Sequence, residues 1–343
     1  MRFVWPQDMS RAAVSHYRRA RKMAKLKRKP KPAILPANKL DPTGVDRLER
    51  GAMRDYAKRL KQISARYIEL LNRIPAEPAV NQRYTFQLDP TMLSMLLQNG
   101  DSLVDEILLQ GGEFNPWLFQ DYVSPSYQRG TAQEFANLAQ QSAAYEAYRG
   151  SVQDILLSDA YQNRLVLVRA RTFEEMKGLS ADVKQNLSRV LTDGIGRGQN
   201  PKEVAKRIRD QIGIEQARAN RIARTEITTA LRRARWDEHD SASDDLGLNV
   251  KLLHLSALSP TTRQTHALRH GRLYTSEEVR DWYSVNGNAI NCKCSQVTVL
   301  VDDKGVPLNS SVIDIARKEF TQTWGKRMAT NKSHHCCDHK HAA

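Results

Sequence analysis

The helical character of the chain is clearest in Arg218-Ala-Asn-Arg-Ile-Ala-Arg-Thr-Glu-Ile-Thr-Thr-Ala-Leu-Arg-Arg-Ala-Arg-Trp236. Its apolar residues recur every three or four positions, which predicts a long helix over residues 215–238 with one apolar face. We interpret its arginines as a solvated basic face on the other side. Glu226 has no second carboxylate three or four positions away, so the paired acid and base of a hydrolase are absent here. The apolar positions are Ala223, Ile227, Ala230, Leu231 and Ala234.

Helical spacing also extends over most of the chain before residue 240. Several of these segments start with proline directly after Asp, Ser or Asn, which is typical of a helix start because proline suits the first helical position. No repeat of fixed period connects the segments. The predicted helical segments are 41–74, 89–109, 124–150, 151–177, 180–195 and 200–212.

The pattern changes after Gly247. Short apolar, β-branched runs predict strands at 250–255 and 297–301, and residues 276–283 predict a short helix between them. The predicted fold class is therefore mainly α with a small C-terminal α+β module: an extended helical body preceded by a basic N-terminal arm.

Positive charge is concentrated at the N-terminus. The 343 residues carry a net charge of +15, and residues 1–31, with eleven Lys/Arg and one acid, carry +10 of it. Such a segment can neutralise phosphates without reading sequence, which predicts non-specific nucleic-acid binding. Docking on an acidic protein surface, or a merely solvated tail, remain open alternatives. The residues predicted to contact nucleic acid are Arg18, Arg19, Arg21, Lys22, Lys25, Lys27, Arg28, Lys29 and Lys31.

Soft metal ligands are concentrated at the other end: all four cysteines and eight of the nine histidines follow residue 238. His266, His270, Cys292 and Cys294 offer the four nitrogen and sulfur donors that a structural zinc ion prefers, so zinc is a candidate cofactor. The alternative is that the cysteines are small buried residues and the histidines bond locally. A second His/Cys tract, 334–341, could capture a metal or be an exposed terminus without a defined role.

Several function classes are excluded. No apolar run is long enough to span a bilayer, so no membrane partner is predicted, and the first residues lack the apolar core of a signal peptide. Phosphate-loop, dinucleotide-binding, metalloprotease and serine-hydrolase motifs are absent from the sequence. Four cysteines in a chain of this length do not indicate a disulfide scaffold, and the default compartment is a reducing cytoplasm.

Between about residues 187 and 300 the chain resembles the phage head morphogenesis, or minor head, proteins related to the F protein of phage Mu. The resemblance rests on a glycine-rich turn before a helix, an Arg-Thr-Glu helix, a loop ending in His, a glycine, and a closing Asn-Cys-Lys-Cys. Each motif is weak alone, but their order and spacing together are specific. The matching motifs are residues 196–208, 221–226, 259–266, 270–274 and 291–294.

The resemblance assigns family positions to individual residues of this chain. Ser259 and Thr261 depart from the family's aspartate and arginine, and Arg263 stands where cysteine-rich members have a cysteine. In the cysteine-rich members, the His and Cys positions together resemble a zinc site. Because this chain has Arg263 in place of one of those cysteines, a four-ligand site here would need another donor such as His270. The matching signature residues are Arg224, Thr225, Glu226 and Gly271, with His266, Cys292 and Cys294 as the ligand positions.

The family resemblance implies a binding protein and not an enzyme. It implies a few copies in the virion, inside the head near the portal, and a role in head assembly and DNA packaging or delivery, with the host cytoplasm as the compartment during assembly. The implied partners are the portal protein, the major capsid or scaffolding protein, and phage DNA. Two alternatives remain open: a metal-dependent nuclease or toxin-like effector that uses the His/Cys cluster, and a host DNA-associated protein.

The predicted domain organisation has four parts. Residues 1–40 form the basic arm and a proline-rich linker, and 41–180 form the helical body. Residues 181–305 form the Mu F-like head morphogenesis domain, and 306–343 form a polar His/Cys-rich tail with little core potential.

Overall fold

The computed structural model describes residues 30–79 and 83–328. Of the described residues, 67% are helical, and small antiparallel sheets are also present, which confirms the predicted fold class, mainly α with a small C-terminal α+β module. Within the described ranges, no helix has both the length and the apolar composition that crossing a bilayer requires. Most of the predicted basic arm and the predicted His/Cys tract at 334–341 lie outside these ranges.

The helices and strands are numbered in chain order over the described residues. The helices are α1 Asp46–Asn72, α2 Pro90–Leu108, α3 Ser124–Gln141, α4 Ala143–Arg149, α5 Val152–Leu157, α6 Asp159–Gly196, α7 Pro201–Asp244, α8 Gln264–Ala267, α9 Ser276–Ser284 and α10 Ser311–Phe320. The strands are β1 Ala76–Pro78, β2 Tyr84–Phe86, β3 Val250–Leu255, β4 Leu273–Tyr274 and β5 Ser295–Leu300. Two π-helical turns, Phe119–Val123 and Thr321–Gly325, lie before α3 and after α10.

Helix α7 is the centre of the helical body, because α1, α3 and α6 all pack along it. Helix α2 closes the other side of α1 and α6. The apolar stripes of these amphipathic helices meet in one continuous core, which supplies the packing that stabilises long helices in water. Core residues include Tyr56, Leu60 and Ile63 of α1, Leu179, Val183 and Leu187 of α6, and Ala223, Ile227 and Leu231 of α7.

Helices α3 and α7 approach each other closely at Gly130. A Cβ atom on Gly130 would lie 2.4 Å from the carbonyl oxygen of Leu231 and 2.9 Å from the Cβ of Ala234. One turn away, the Ser126 hydroxyl donates a hydrogen bond of 2.7 Å to the carbonyl of Ile227. The absence of a side chain at Gly130 therefore sets the distance between the two helices.

Two predicted helix breaks are wrong. The segment predicted at 151–177 is joined from Asp159 onward to that predicted at 180–195 in α6, while its first residues form the separate helix α5. The segments predicted at 200–212 and 215–238 are joined in α7. The glycine inside α7, Gly213, costs only about 1 kcal/mol relative to alanine. Tertiary packing along the rest of α7 outweighs that cost.

Two other helix ends differ from their predicted positions, because polar side chains bond to the backbone there. The predicted helix 124–150 breaks at Ser142, whose hydroxyl accepts a hydrogen bond from the backbone N–H of Tyr145 and starts α4. The predicted start at Asp41 is a turn, because its carboxylate accepts hydrogen bonds from the N–H groups of Gly44 and Asp46. Helix α1 therefore begins at Asp46.

The C-terminal module is a three-stranded antiparallel sheet in the order β4-β3-β5. The strand predicted at 250–255 is confirmed, and the strand predicted at 297–301 begins two residues earlier, at Ser295. The predicted helix 276–283 is also confirmed as α9, which begins with a capping box between Thr275 and Glu278.

Side chains from α3 and α7 satisfy the backbone of β5 along the edge that faces away from β3. The Glu134 carboxylate accepts from the N–H of Thr298, and the amides of Asn137 and Gln141 donate to its carbonyl. The side-chain amide oxygen of Gln141 accepts from the backbone N–H of Leu300. Arg235 donates to the carbonyl of Gln296 at 2.7 Å. The helical body and the sheet are thus joined through buried hydrogen bonds.

Helix α10 and the chain around Ala33 cover one face of the sheet. The prediction that residues 306–343 have little core potential is wrong for α10, because Val312, Ile313 and Ala316 are buried against Leu253. These three residues are spaced as one helical face within an otherwise polar segment. Helix α10 therefore belongs to the folded C-terminal module.

The predicted solvated basic face of α7 is wrong for Arg232 and Arg235, whereas Arg221 is exposed as predicted. Arg232 is 1% exposed and Arg235 is 5% exposed. Arg232 donates to the carbonyl of Cys292 at 3.0 Å, and Arg235 lies 3.7 Å from the Glu134 carboxylate. These guanidinium groups are buried because they satisfy carbonyls and a carboxylate where α7 packs on β5.

Candidate metal centre

His266, Cys292 and Cys294 come together from two parts of the C-terminal module. His266 lies on α8, and the two cysteines lie in the turn that leads into β5. Arg263, directly before α8, donates to the carbonyls of residues 287, 288 and 290 at 2.9 to 3.0 Å. These bonds fix the loop before Cys292 against the start of α8, so the donors of the two parts meet.

The three donor atoms are close to one another. The Nδ1 atom of His266 lies 3.3 Å from Sγ of Cys292 and 3.5 Å from Sγ of Cys294. All three side chains are buried. The ligand atoms of these three residues lie within 4.8 Å of one another. Within the described ranges, they form the only cluster of three or more His, Cys, Asp or Glu residues close enough to share a metal ion.

Helix α7 holds the turn that contains Cys292 and Cys294 in place through a side-chain hydrogen bond. The backbone N–H of Cys294 points at Sγ of Cys292 at 3.4 Å, and Arg232 donates to the carbonyl of Cys292. Asn291, before the turn, has φ of +51°, a left-handed conformation that asparagine tolerates better than most residues. The cysteine pair is therefore placed by backbone contacts that do not depend on a metal.

The environment favours one thiolate in the pair. Burial opposes ionisation of Cys292, but hydrogen bonds with Cys294 and His266, together with the charge of Arg232, hold its pKa well below the usual value. The pKa of Cys294 is raised by its hydrogen bond with Cys292 and by burial. A thiolate next to an imidazole nitrogen is the donor chemistry that zinc selects.

The three residues fit part of a zinc site. In a tetrahedral site, Zn–S of about 2.3 Å and Zn–N of about 2.0 Å correspond to N···S separations of about 3.5 Å, close to the two observed here. A pocket of about 100 Å³ opens beside the donors, and its lining includes Arg224, Arg263 and Lys293. Among the described residues that line it there is no carboxylate. A carboxylate base of the kind that metal-dependent hydrolysis uses is therefore missing from this pocket.

His270 does not join this group, so the predicted four-ligand set is corrected to three. Its Nδ1 accepts a hydrogen bond of 3.0 Å from the backbone N–H of Ser256, and its Nε2 lies 4.0 Å from the Glu319 carboxylate. Burial lowers the pKa of His270 to about 4. The side chain therefore lies as a neutral imidazole between β3 and the end of α10, where backbone bonding holds it away from the cysteines.

The predicted signature residues on α7 join the body to the loop before β5. Arg224 pairs with buried Glu49 of α1 at 3.0 Å and donates to the side chain of Asn291 at 3.3 Å. The Thr225 hydroxyl accepts from the backbone N–H of Asn291. Glu226 pairs instead with Arg171 of α6, through two bonds of 3.0 and 3.1 Å. These residues therefore stabilise the contacts between helices and the loop before β5. They are not members of the His/Cys group.

At position 271, the remaining predicted signature residue, glycine is favoured by the backbone conformation and by the lack of space for a side chain. Its φ is +73°, and a Cβ atom there would lie 3.1 Å from Cγ of Arg317 and 3.2 Å from its backbone nitrogen. The N–H of Gly271 donates to the carbonyl of His254 at 2.9 Å. The glycine thus turns the chain between α8 and β4 beneath α10.

The comparisons with known proteins bear on this C-terminal part of the chain. Residues 185–297 match the family model described as Phage Mu protein F like protein. The predicted resemblance to a phage head morphogenesis family is confirmed over this Mu F-like segment, which covers a third of the chain. No curated protein and no solved structure matches the chain.

The Mu F-like segment includes the end of α6, all of α7, and the sheet module as far as the third residue of β5. Its three metal-type donors were predictable from the residue types and spacing. The buried roles of Arg232 and Arg235 were not predictable in the same way, because their partners lie about 60 or 100 residues away along the chain. Of the predicted nucleic-acid contacts, Lys31 alone lies in the described ranges, where it is exposed; Arg18, Arg19, Arg21, Lys22, Lys25, Lys27, Arg28 and Lys29 lie outside them.

Proposed function

We propose that the chain is a minor head protein of a tailed phage that acts by binding at the portal vertex. In this role it takes part in head assembly and in DNA packaging or delivery. The observation that carries the proposal is the match of residues 185–297 to the Phage Mu protein F like family. Its proposed partners are the portal protein, the major capsid or scaffolding protein, and phage DNA.

The geometry supports a binding role over catalysis. The residues that carry the family signature hold α1, α7 and the β5 loop together, as the bonds of Arg224 and Thr225 show. The His/Cys group lies beside cationic side chains, without a carboxylate among the described lining residues. A nuclease that uses this group would need a base close to the reacting water. This contrast favours the head protein over the metal-dependent nuclease or effector.

Analysis of the protein content of virions from the phage that encodes the chain tests the proposed function. We expect a few copies of the chain per virion after nuclease treatment, located inside the head near the portal. We also expect the chain to co-purify with the portal protein when heads are disrupted under mild conditions. Absence of the chain from both virions and assembly intermediates would overturn the proposal.

We further propose that His266, Cys292 and Cys294 hold a zinc ion in a structural role. The purified full chain is expected to contain about one zinc per molecule, and a chelator is expected to lower its melting temperature. Replacing Cys292 with serine should remove the bound zinc and reduce stability, because a thiolate donor is lost. Metal analysis and thermal melting measure both effects.

Cys336→Ser is the matched control, since it removes a thiol from the predicted terminal His/Cys tract and leaves the three donors intact. We expect zinc content and melting temperature to be unchanged in this variant. Zinc lost in Cys336→Ser and retained in Cys292→Ser would place the metal in the tract. Intact folding of Cys292→Ser with loss of a nuclease activity would instead favour the enzyme.

The basic arm is proposed to contact DNA phosphate. Deleting residues 1–31 removes +10 of net charge, so the salt dependence of DNA binding should become shallower. Each phosphate contact contributes about 0.9 to the slope of log K against log salt concentration for duplex DNA. We expect the slope to fall by several units in titrations with a random-sequence duplex. A full-length variant with the eleven Lys/Arg replaced by Gln should behave like the deletion, and equal slopes for all three proteins would refute the contact.

A further inference from the structure

A second cavity lies between α6, α7 and α9, and two of its lining residues, Arg232 and Tyr283, also contact Cys292. It has a volume of about 490 Å³ and is bounded by α6, α7, α9 and Tyr127 of α3. It shares no lining residue with the pocket beside the His/Cys group. Cavities of this size are typical of sites that enclose a small organic ligand. The predicted metal site and the family signature do not account for it.

Arginines dominate the polar lining of this cavity, and one carboxylate, Asp237, lies among them. Some of their charge is already paired: Arg171 with Glu226 at 3.0 Å and Arg280 with Asp240 at 2.6 Å. Five guanidinium groups thus lie near three carboxylates, those of Asp237, Glu226 and Asp240, which leaves an excess of positive charge. The lining arginines are Arg164, Arg171, Arg232, Arg233 and Arg280.

Like Arg232, Arg233 is a lining cation that forms no ion pair with a carboxylate of the described residues. Within the described part of the chain, its guanidinium makes no hydrogen bond and no ion pair within 4.0 Å. It is half-buried, and burial together with the charges of Arg171 and Arg280 lowers its pKa, although the charges of Glu226 and Asp237 act in the opposite direction. In the same lining, the Nε of buried Arg232 has no hydrogen-bond partner. An anion in the cavity would satisfy these donors and offset the repulsion between the arginines.

The rest of the lining is apolar and aromatic. Leu167 and Val168 of α6 lie on one wall, and Trp236 and Tyr283 lie on another, with their ring centroids 5.4 Å apart. The guanidinium groups of Arg232 and Arg280 lie 4.5 and 5.3 Å from the ring centroids of Tyr283 and Trp236. A bare inorganic anion would leave most of the volume beside these walls unfilled. A ligand that joins an anionic group to a flat ring fits both parts of the lining, because aromatic and apolar side chains contact rings and arginine forks bind phosphate oxygens.

We propose that this cavity binds a nucleotide, with its phosphate on Arg233 and its base against the apolar and aromatic walls. The phosphate can belong to a free mononucleotide or to the 5′ end of a nucleic-acid strand, and the chemistry of recognition is the same. The proposal does not rest on the proposed role in head assembly or on a bound zinc ion, since it is argued from the cavity, its arginines and its apolar walls. Arg232 and Tyr283 nevertheless connect this lining to Cys292.

Calorimetric titration of the full chain tests the site, with dAMP, inorganic phosphate, and a short single strand with or without a 5′ phosphate as probes. We expect one dAMP per chain and weaker binding of inorganic phosphate. Arg233→Gln is expected to weaken dAMP binding about tenfold or more, the effect of losing a charged hydrogen-bonding partner. Since Arg233 makes no hydrogen bond, the variant should fold normally. Arg164→Gln, at the rim of the cavity, provides a second variant.

Arg209→Gln is the matched control: Arg209 lies on the same helix, is exposed and does not line the cavity. It should bind dAMP like the unmodified chain. Binding of the 5′-phosphorylated strand that depends on Arg233, with no such binding of the unphosphorylated strand, would identify a strand end as the source. Binding of dAMP alone would identify a free nucleotide. Failure of dAMP to bind, or equal affinity in Arg233→Gln, would overturn the proposal.

Discussion

Replacing Glu134 with alanine is expected to destabilise the folded protein by about 3–5 kcal/mol, the usual cost of removing one partner of a buried ion pair. Glu134 is fully buried on α3. Its carboxylate accepts from the N–H of Thr298 at 2.9 Å and from the amide of Asn137 at 2.8 Å, and it lies 3.7 Å from the guanidinium of Arg235. Alanine would leave a strand N–H without an acceptor and a buried cation without a counter-ion.

Arg235 is the reason for this large expected effect. Burial lowers the pKa of its guanidinium, and Glu134 is the charge that opposes this. An arginine does not lose its proton at ordinary pH, so an unpaired Arg235 would remain a charge in an apolar interior. The folded state would have to open at the contact between α3, α7 and β5 to hydrate it.

Urea denaturation of the purified variants measures the effect. Glu134→Gln keeps an acceptor for Thr298 but removes the charge, so we expect an intermediate loss of stability. Glu174→Ala, which removes an exposed carboxylate paired with Lys177, should change stability by less than about 0.5 kcal/mol. The interpretation fails if Glu134→Gln is as stable as the unmodified chain, because the buried charge pair would then contribute nothing.

Replacing Gly130 with alanine is expected to destabilise the protein by about 1–3 kcal/mol, as overpacking does in a well-filled core. The new Cβ would lie 2.4 Å from the backbone oxygen of Leu231, a distance that a rigid helix cannot accommodate without moving. Helices α3 and α7 would have to separate, and the bonds that α3 makes to β5 would lengthen with them.

The same substitution at Gly213 is the control, because apart from the local backbone of α7 and the adjacent residues no described atom lies within 4 Å of the position its Cβ would take. Alanine there should stabilise the protein by about 0.5–1 kcal/mol through its higher helix propensity. The two variants should therefore change the denaturation midpoint in opposite directions. Stabilisation by Gly130→Ala would show that the close approach of α3 and α7 is not tight.

The sequence was most informative where the signal is local. Helical spacing and alternation within a few residues predicted the mainly α body, β3 and α9, and donor type and spacing predicted His266, Cys292 and Cys294 as a group. His270 was misplaced because one hydrogen bond, from the N–H of Ser256 to Nδ1, turns its ring away. Residue type does not contain that information.

Long-range pairing accounts for the other differences. An arginine-rich helix normally indicates a solvated face, and the burial of Arg232 and Arg235 depends on carbonyls and a carboxylate supplied by distant segments. The polar composition after residue 306 likewise concealed Val312, Ile313 and Ala316, three apolar residues on one face of α10. In each case, tertiary contacts outweighed local composition.

The covered edge of β5 has a consequence for how copies of this protein can associate. An open strand edge is a template on which a strand of another molecule can pair, which leads to edge-to-edge aggregation. Here the outward N–H and C=O groups of Thr298 are already bonded to Glu134, Asn137 and Gln141. At the opposite edge, β4 is only two residues long. Strand exchange at the three-stranded sheet is thereby disfavoured, which leaves the helical surfaces for contacts between copies at high local concentration.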